Sequence, residues 1–283
     1  MIEVLTQATR LVVVVFLLSS MAGIGLGLTV PQVVGALKSP RFVLGALAAN
    51  FLLSPLLAMG IARLLRLDEP FAIGLLVLGL TGGAPFLPKV VDLAKGDVAS
   101  AVGLMVLLML GTTVLVPVVL PLLVKGVHVE PLKIVLFLVL LMLCPLGAGM
   151  AVKAMAPRVA ARCRPVLERI SSVALLGLLI LILGLNFQAV LRLFGTGSIL
   201  AAVLFAALAA LGGWLLGGPG NPQRTLLGLG TALRNIPAAL IISVQNFRDP
   251  NVSVMVLVTT LTGILLLVPA AVRMGRRHAG SPA

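Results

Sequence analysis

Gly228-Leu229-Gly230-Thr231-Ala232-Leu233-Arg234-Asn235-Ile236-Pro237-Ala238-Ala239 decides how this chain is read. It lies inside an apolar run from Leu226 to Val244, long enough to reach through most of a bilayer. An arginine at the centre of a membrane helix costs roughly 2.5–3.5 kcal/mol on insertion scales, so it faces protein or a wet cavity rather than lipid. Pro237 has no N–H and disfavours helix in the residue before it, which predicts a break near Asn235 and Ile236. A second run has the same grammar: Leu80-Thr81-Gly82-Gly83-Ala84-Pro85-Phe86-Leu87-Pro88-Lys89-Val90-Val91-Asp92. It too is apolar, interrupted by Gly82, Gly83, Pro85 and Pro88, and carries a cation. Two interrupted apolar segments in corresponding halves are the sequence mark of a transporter's midplane site.

Outward from these two runs, the composition is that of an integral membrane protein. The 283 residues are 60% hydrophobic and 10% charged, more apolar surface than a soluble domain of this length can hide. The formal charge of +13 does not point to nucleic acid, because the cations stand singly between apolar runs and there is no Tyr and one Trp to stack on bases. The positive-inside rule accounts for them. Cys144 and Cys163 imply neither a disulfide framework nor a metal site. The first ten residues lack the basic start of a signal peptide, so the first apolar run is expected to stay as a helix, and the absence of a long targeting segment fits a bacterial inner membrane.

Apolar windows at 11–30, 42–62, 70–95, 98–124, 131–152, 166–190, 197–217, 225–247 and 252–272 predict nine transmembrane helices, the third and eighth interrupted. With the N-terminus outside, twelve Lys and Arg fall in inner segments against seven in outer ones, so the expected orientation is N-out, C-in. The weight rests on the cluster from Lys153 to Arg169 and on the basic tail, 273–283, expected to be cytoplasmic. That cluster divides the single transporter unit, 1–283, into a first repeat, 11–124, and a second, 131–272, expected to run in opposite directions as inverted repeats.

Ala22-Gly23-Ile24-Gly25-Leu26-Gly27-Leu28-Thr29, Pro40-Arg41-Phe42, Ala48-Ala49-Asn50-Phe51, the Gly82–Pro88 break and Leu93-Ala94-Lys95-Gly96-Asp97 together resemble the bile acid:sodium symporter family. With Arg234-Asn235 and the small residues after it, the resemblance covers nearly the whole chain. It implies an all-α membrane fold with two broken, crossing helices in a core domain, a panel domain, and substrate between them. By analogy, spans one, five and six form the panel and the others the core. The resemblance also implies sodium sites near the crossing, built from a glutamate and side-chain oxygens of both broken helices. Here the glutamate's place falls near Gly230, the neighbouring glutamine's place is Arg234, and Phe86, Leu87, Pro88 and Lys89 occupy the place of oxygen-bearing residues. Asn235 keeps the family's asparagine, and Asn50 stands where the family carries a polar amide, as a ligand or substrate contact. The fold is therefore expected to carry over and the sodium coupling to be weakened, replaced by fixed charge, or proton-based.

Each candidate residue has two readings. Lys89 and Arg234 either give the crossing a permanent positive potential that favours an anion, or serve as struts, Lys89 paired with Asp92 and Arg234 with unwound carbonyls. Asp92 is either a proton-coupling acid or a residue near the inner surface. Thr81, Thr231 and Asn235 either contact substrate or replace hydrogen bonds lost in the unwound turns. Gly82, Gly83, Pro85, Pro88 and Pro237 set the backbone, leaving N–H and C=O groups open to a ligand. Asn186, Gln188, Gln245 and Asn246 read as interfacial, and His128 and His278 as solvated. No nucleophile–base pair, zinc spacing or phosphate loop argues for an enzyme. The sequence thus points to a secondary transporter of a small organic anion, resident in the bilayer, with no cofactor. The alternatives are a sodium-independent or proton-coupled carrier or exchanger, and a non-transporting receptor. An arsenite-type carrier is disfavoured because neither cysteine lies in a broken helix. Neither the oligomeric state nor the anion is specified.

Overall fold

Proline and glycine set where the helices of this chain stop and bend. The computed structural model describes residues 2–35, 38–124, 131–192 and 195–279, and among these there is no strand. Helix α1 (Ile2–Gly25) ends at a glycine-rich turn and is followed by the short α2 (Val30–Gly35). Helix α3 (Pro40–Ala48) starts on Ser39, whose side chain accepts from the Phe42 N–H, with Pro40 in the first turn. It continues through a π turn, Ala49–Leu53, into α4 (Ser54–Leu64), making one apolar rod, Pro40–Leu64. The π turn follows from Pro55. The Ser54 N–H reaches back to the Ala49 carbonyl, and the next donor in that register would be residue 55, which as proline has none. The Asn50 carbonyl is left free for another partner.

Helix α5 (Glu69–Leu80) stops short, the chain unwinds over residues 81–86, and α6 (Leu87–Leu93) resumes. Helix α7 (Val98–Leu123) is capped by Asp97, whose side chain accepts from the Ala99 N–H at 2.9 Å. Helices α8 (Pro131–Leu138) and α9 (Cys144–Met155) join through a second π turn, Val139–Leu143, again placed just before a proline, Pro145. Then come α10 (Pro157–Arg192), α11 (Ser198–Leu216), α12 (Asn221–Ala232), α13 (Ile236–Asn246) and α14 (Pro250–Ala279).

Six stretches among the described residues are long and apolar enough to cross a membrane: Pro40–Leu64, Val98–Leu123, Val135–Met155, Ser198–Leu216, Asn221–Val244 and Pro250–Arg276. The protein is an all-helical integral membrane protein. The three other predicted windows fall on α1, on the α5–α6 pair and on α10. Large apolar side chains such as Leu44, Leu52, Leu122, Leu176, Ile180 and Leu265 are exposed, the arrangement suited to lipid. Helix α1 packs along α9 and α10; elsewhere α11 packs on α12 and α14, α5 lies between α4 and α14, and α6 packs on α7. The interrupted span Asn221–Val244 is 78% buried, against 44% for the next most enclosed, and its Thr231, Arg234 and Asn235 are enclosed by protein.

Gly83 is indispensable to the first break. Its φ is +82°, and a Cβ there would lie 2.6 Å from the Met109 nitrogen and 2.8 Å from the Met105 carbonyl of α7. Gly83→Ala is therefore expected to lower stability by more than the roughly 1–2 kcal/mol of a left-handed backbone alone. Thermal unfolding of the purified protein in detergent reads the effect, and an unchanged midpoint would contradict the close approach.

Candidate functional site

The two breaks touch. The Asn235 N–H donates to the Thr81 carbonyl at 3.0 Å, joining the unwound stretch before α13 to the one after α5. Asn235 also starts α13, its Oδ1 accepting from the Ala238 N–H at 3.2 Å with Pro237 in the first turn. Its Nδ2 lies 3.8 Å from the Met142 Sδ, on the π turn between α8 and α9. Pro85 sits within the first break and Pro88 in the first turn of α6, so each proline stands where its missing N–H does no harm.

The backbone groups freed at the first break find partners on neighbouring helices. The Gly82 N–H donates to Thr112 Oγ1 at 2.9 Å, and the same hydroxyl donates to the Gly82 carbonyl at 3.1 Å. Thr81 turns its own hydroxyl onto the Leu78 carbonyl at 3.0 Å. Such satisfaction is what allows irregular backbone at membrane depth.

Arg234 is the centre of the crossing. It is 3% exposed, and each of its five N–H groups has an acceptor. Nε donates to the Leu78 carbonyl at 3.0 Å. Nη1 donates to Asn50 Oδ1 at 2.7 Å and to the Thr231 carbonyl at 2.9 Å. Nη2 donates to the Asn50 carbonyl at 3.4 Å and to the Gly79 carbonyl. Leu78 and Gly79 belong to the last turn of α5 and Thr231 to the last turn of α12, so one guanidinium bonds carbonyls at the negative ends of both half-helices, sharing that of Leu78 with the Thr81 N–H and hydroxyl. The Asn50 carbonyl is the group that Pro55 left free. Asn50 Nδ2 in turn donates to the Ala46 carbonyl at 3.0 Å and to Thr231 Oγ1 at 3.3 Å. No carboxylate pairs with Arg234 among the described residues.

This places the expected residues unequally. Asn50, Thr81, Gly82, Gly83, Thr231, Arg234 and Asn235 are buried together at the crossing. Arg234 is brought there as a strut, with no N–H left to grasp an anion directly. Lys89 is not brought there. On α6, Leu87, Val90 and Val91 form the buried stripe, so Lys89, Asp92 and Leu93 fall on the opposite face and are exposed. Lys89 Nζ donates to Ser172 Oγ on α10 and makes no ion pair with Asp92. The polar residues Asn186, Gln188 and Gln245, and both histidines, lie with their side chains outside the described residues, while Asn246 turns back onto the Ile242 carbonyl at 2.8 Å.

Near the place where the family resemblance puts a glutamate, Gly230 carries no side chain, and any side chain there would displace the flexible end of Leu104. A Cβ on Gly230 would lie 2.6 Å from Leu104 Cδ2 and 3.4 Å from Leu87 Cδ2. Thr112 and Ser172 escaped the sequence reading. Each is a hydroxyl in an apolar helix, a pattern equally consistent with a back-bond to its own helix.

The description "Sodium Bile acid symporter family" belongs to a family model that matches residues 14–193, more than half of the chain. The chain is 24% identical over 246 residues to an Arabidopsis thaliana protein named probable sodium/metabolite cotransporter BASS1, chloroplastic, covering 85% of this chain and 61% of that one. It is 24% identical over 259 residues to probable sodium/metabolite cotransporter BASS6, chloroplastic, from the same plant, covering 87% and 63%. It is 29% identical over 146 residues to the uncharacterized sodium-dependent transporter YocS of Bacillus subtilis (strain 168), covering 50% and 44%. The chain thus spans about three fifths of the length of the two plant relatives and less than half of the bacterial one.

Thr112 and Thr113 offer an internal comparison. Thr113 bonds only the Met109 carbonyl of its own helix, whereas Thr112 serves both polar groups of Gly82. Thr112→Val strands a buried donor and acceptor and is expected to cost about 1–3 kcal/mol, while Thr113→Val stays within about 0.5 kcal/mol. Equal thermal midpoints for the two variants would show that Thr112 does not hold the break.

Proposed function

The chain belongs to the sodium bile acid symporter family, and from that premise we propose that it is a secondary transporter moving a small organic anion by alternating access. The reading gives it nine spans in two inverted repeats, 11–124 and 131–272, set N-out and C-in in a bacterial inner membrane, with 273–283 as a basic cytoplasmic tail. The panel is α1, α8–α9 and α10, and the core holds the two crossed broken helices. Support for that division comes from the packing of α1 along α9 and α10, apart from the packing of α5, α11, α12 and α14.

The observation that carries the coupling mechanism is the full commitment of Arg234 to oxygens at the crossing. Carbonyl ends of half-helices and a nearby amide are the kind of oxygens that hold a coupling cation in broken-helix transporters. Here a covalently attached cation holds them, so the proposed carrier works without sodium. Arg234 supplies field rather than direct contact, and Thr81, Thr231, Asn50 and Asn235 line the crossing that it fixes. Lys89, on the face of α6 that meets α10, is the cation placed to touch substrate. An anion entering between α6 and α10 would replace Ser172 as its partner, so binding and the separation of core from panel become linked.

Sodium coupling is the second reading, and the names of the relatives favour it. Proton coupling through Asp92 has less support, since that carboxylate is exposed. A receptor that binds without moving its ligand would show ligand-dependent stabilisation and no flux.

Tracer uptake of a panel of small carboxylates into proteoliposomes separates these readings. Uptake is expected to be equal in sodium and in choline, and to fall by about tenfold or more in Arg234→Gln. Lys89→Gln is expected to raise KM more than it lowers the maximal rate, because it removes a ground-state contact. A strict sodium requirement that survives Arg234→Gln would overturn the fixed-charge mechanism.

A further inference from the structure

One outward stripe of α10 changes character along its length. At 3.6 residues per turn, Arg158, Arg162 and Arg169 fall within about 40° of one another around the helix. Val173, Leu176 and Ile180 carry the same stripe onward, and they are 72%, 60% and 63% exposed. Ala160, Ser171 and Ala174 are buried on the opposite face, where Leu167 meets Gly23 of α1.

The cations at this end of α10 are not equivalent. Arg164 is committed within the protein. Its Nε donates to Glu168 Oε1 at 2.7 Å, and its guanidinium lies against Gly27, where a Cβ would come within 2.8 Å of Cζ. Arg158, Arg162 and Arg169 are exposed, and none of them pairs with a carboxylate among the described residues.

The order of the stripe identifies its partner. Three unpaired guanidiniums attract anionic oxygens. The apolar half that follows is covered only by hydrocarbon, so the ligand joins a charged head to an apolar tail. A second copy meeting this face across a two-fold axis along the bilayer normal would set arginine against arginine. Nucleic acid would leave Val173, Leu176 and Ile180 uncovered. We infer that the outward face of α10 is a binding surface for an anionic phospholipid, its phosphate beside Arg162 and Arg169 and its acyl chains along Val173, Leu176 and Ile180. Arg158, one turn beyond Arg162, adds to the attraction toward a negatively charged leaflet. The surface lies apart from the helix crossing and does not depend on the transport reading.

Retention of radiolabelled phosphatidylglycerol by the detergent-purified full chain tests this, with phosphatidylcholine of the same acyl chains as the reference. Wild type is expected to prefer phosphatidylglycerol by about tenfold or more. Arg158→Gln with Arg162→Gln and Arg169→Gln is expected to abolish that preference. Arg63→Gln with Arg66→Gln and Arg248→Gln removes the same charge from exposed positions elsewhere and is expected to keep it. Glycerol 3-phosphate, a head without a tail, is expected not to compete. Should the stripe variant fail to fold, Arg162→Gln and Arg169→Gln made singly are each expected to weaken the preference by about fivefold. No preference in the wild type would overturn the surface, as would a preference untouched by the stripe variants or lost equally in the charge-matched control. Full competition by glycerol 3-phosphate would overturn it too, because the ligand would then be a soluble phosphate.

Discussion

One guanidinium ties the membrane core of this protein together. Two helices that stop inside the protein leave carbonyl groups without helical partners, and each such group is costly to bury unbonded. Arg234 takes those of Gly79 and Thr231 at once and adds a bond to that of Leu78, which Thr81 also serves. Its remaining N–H groups go to Asn50, whose carbonyl is free because Pro55 interrupts the helix beyond it. A proline five residues along one helix thus prepares an acceptor for an arginine in the unwound link between two others. The fork of five donors suits this task in a way that the three donors of a lysine would not.

The same geometry has an electrostatic consequence. A transporter whose crossing is held by exchangeable cations changes charge when they leave, and that change drives its cycle. A side-chain cation cannot leave. On this account the crossing keeps a constant charge, and directionality comes from the substrate gradient or from exchange. The lack of an acid beside Arg234 belongs to the same logic. Gly230, beside Leu104 and Leu87, offers no carboxylate, so the charge of Arg234 is not offset there.

Much of this was legible in the sequence. Proline punctuation put the second break beside Asn235, where the helix gap is observed, and the Gly82–Pro88 run marked the first. The helix boundaries followed from local chemistry that any reader can apply to Ser39-Pro40, Asp97 and Asn235-Ile236-Pro237. Lys89 is the residue whose place relative to the crossing the linear pattern does not give. It lies in the interrupted span, yet a helix of seven residues has two faces, and the buried stripe of Leu87, Val90 and Val91 turns Lys89 outward. That periodicity was available and was outweighed by proximity to the break. Thr112 was hidden for a different reason: its hydroxyl meets Gly82 across 30 residues of chain, and nothing local distinguishes it from Thr113.

Sodium titration of the purified protein tests the central claim most directly, with potassium at equal ionic strength as the control and thermal unfolding as the readout. With Arg234 holding the oxygens of the crossing, the midpoint is predicted to follow the same curve in both salts. A saturable stabilisation by sodium that potassium does not reproduce would contradict the account, for it would place an exchangeable cation where the guanidinium is said to stand.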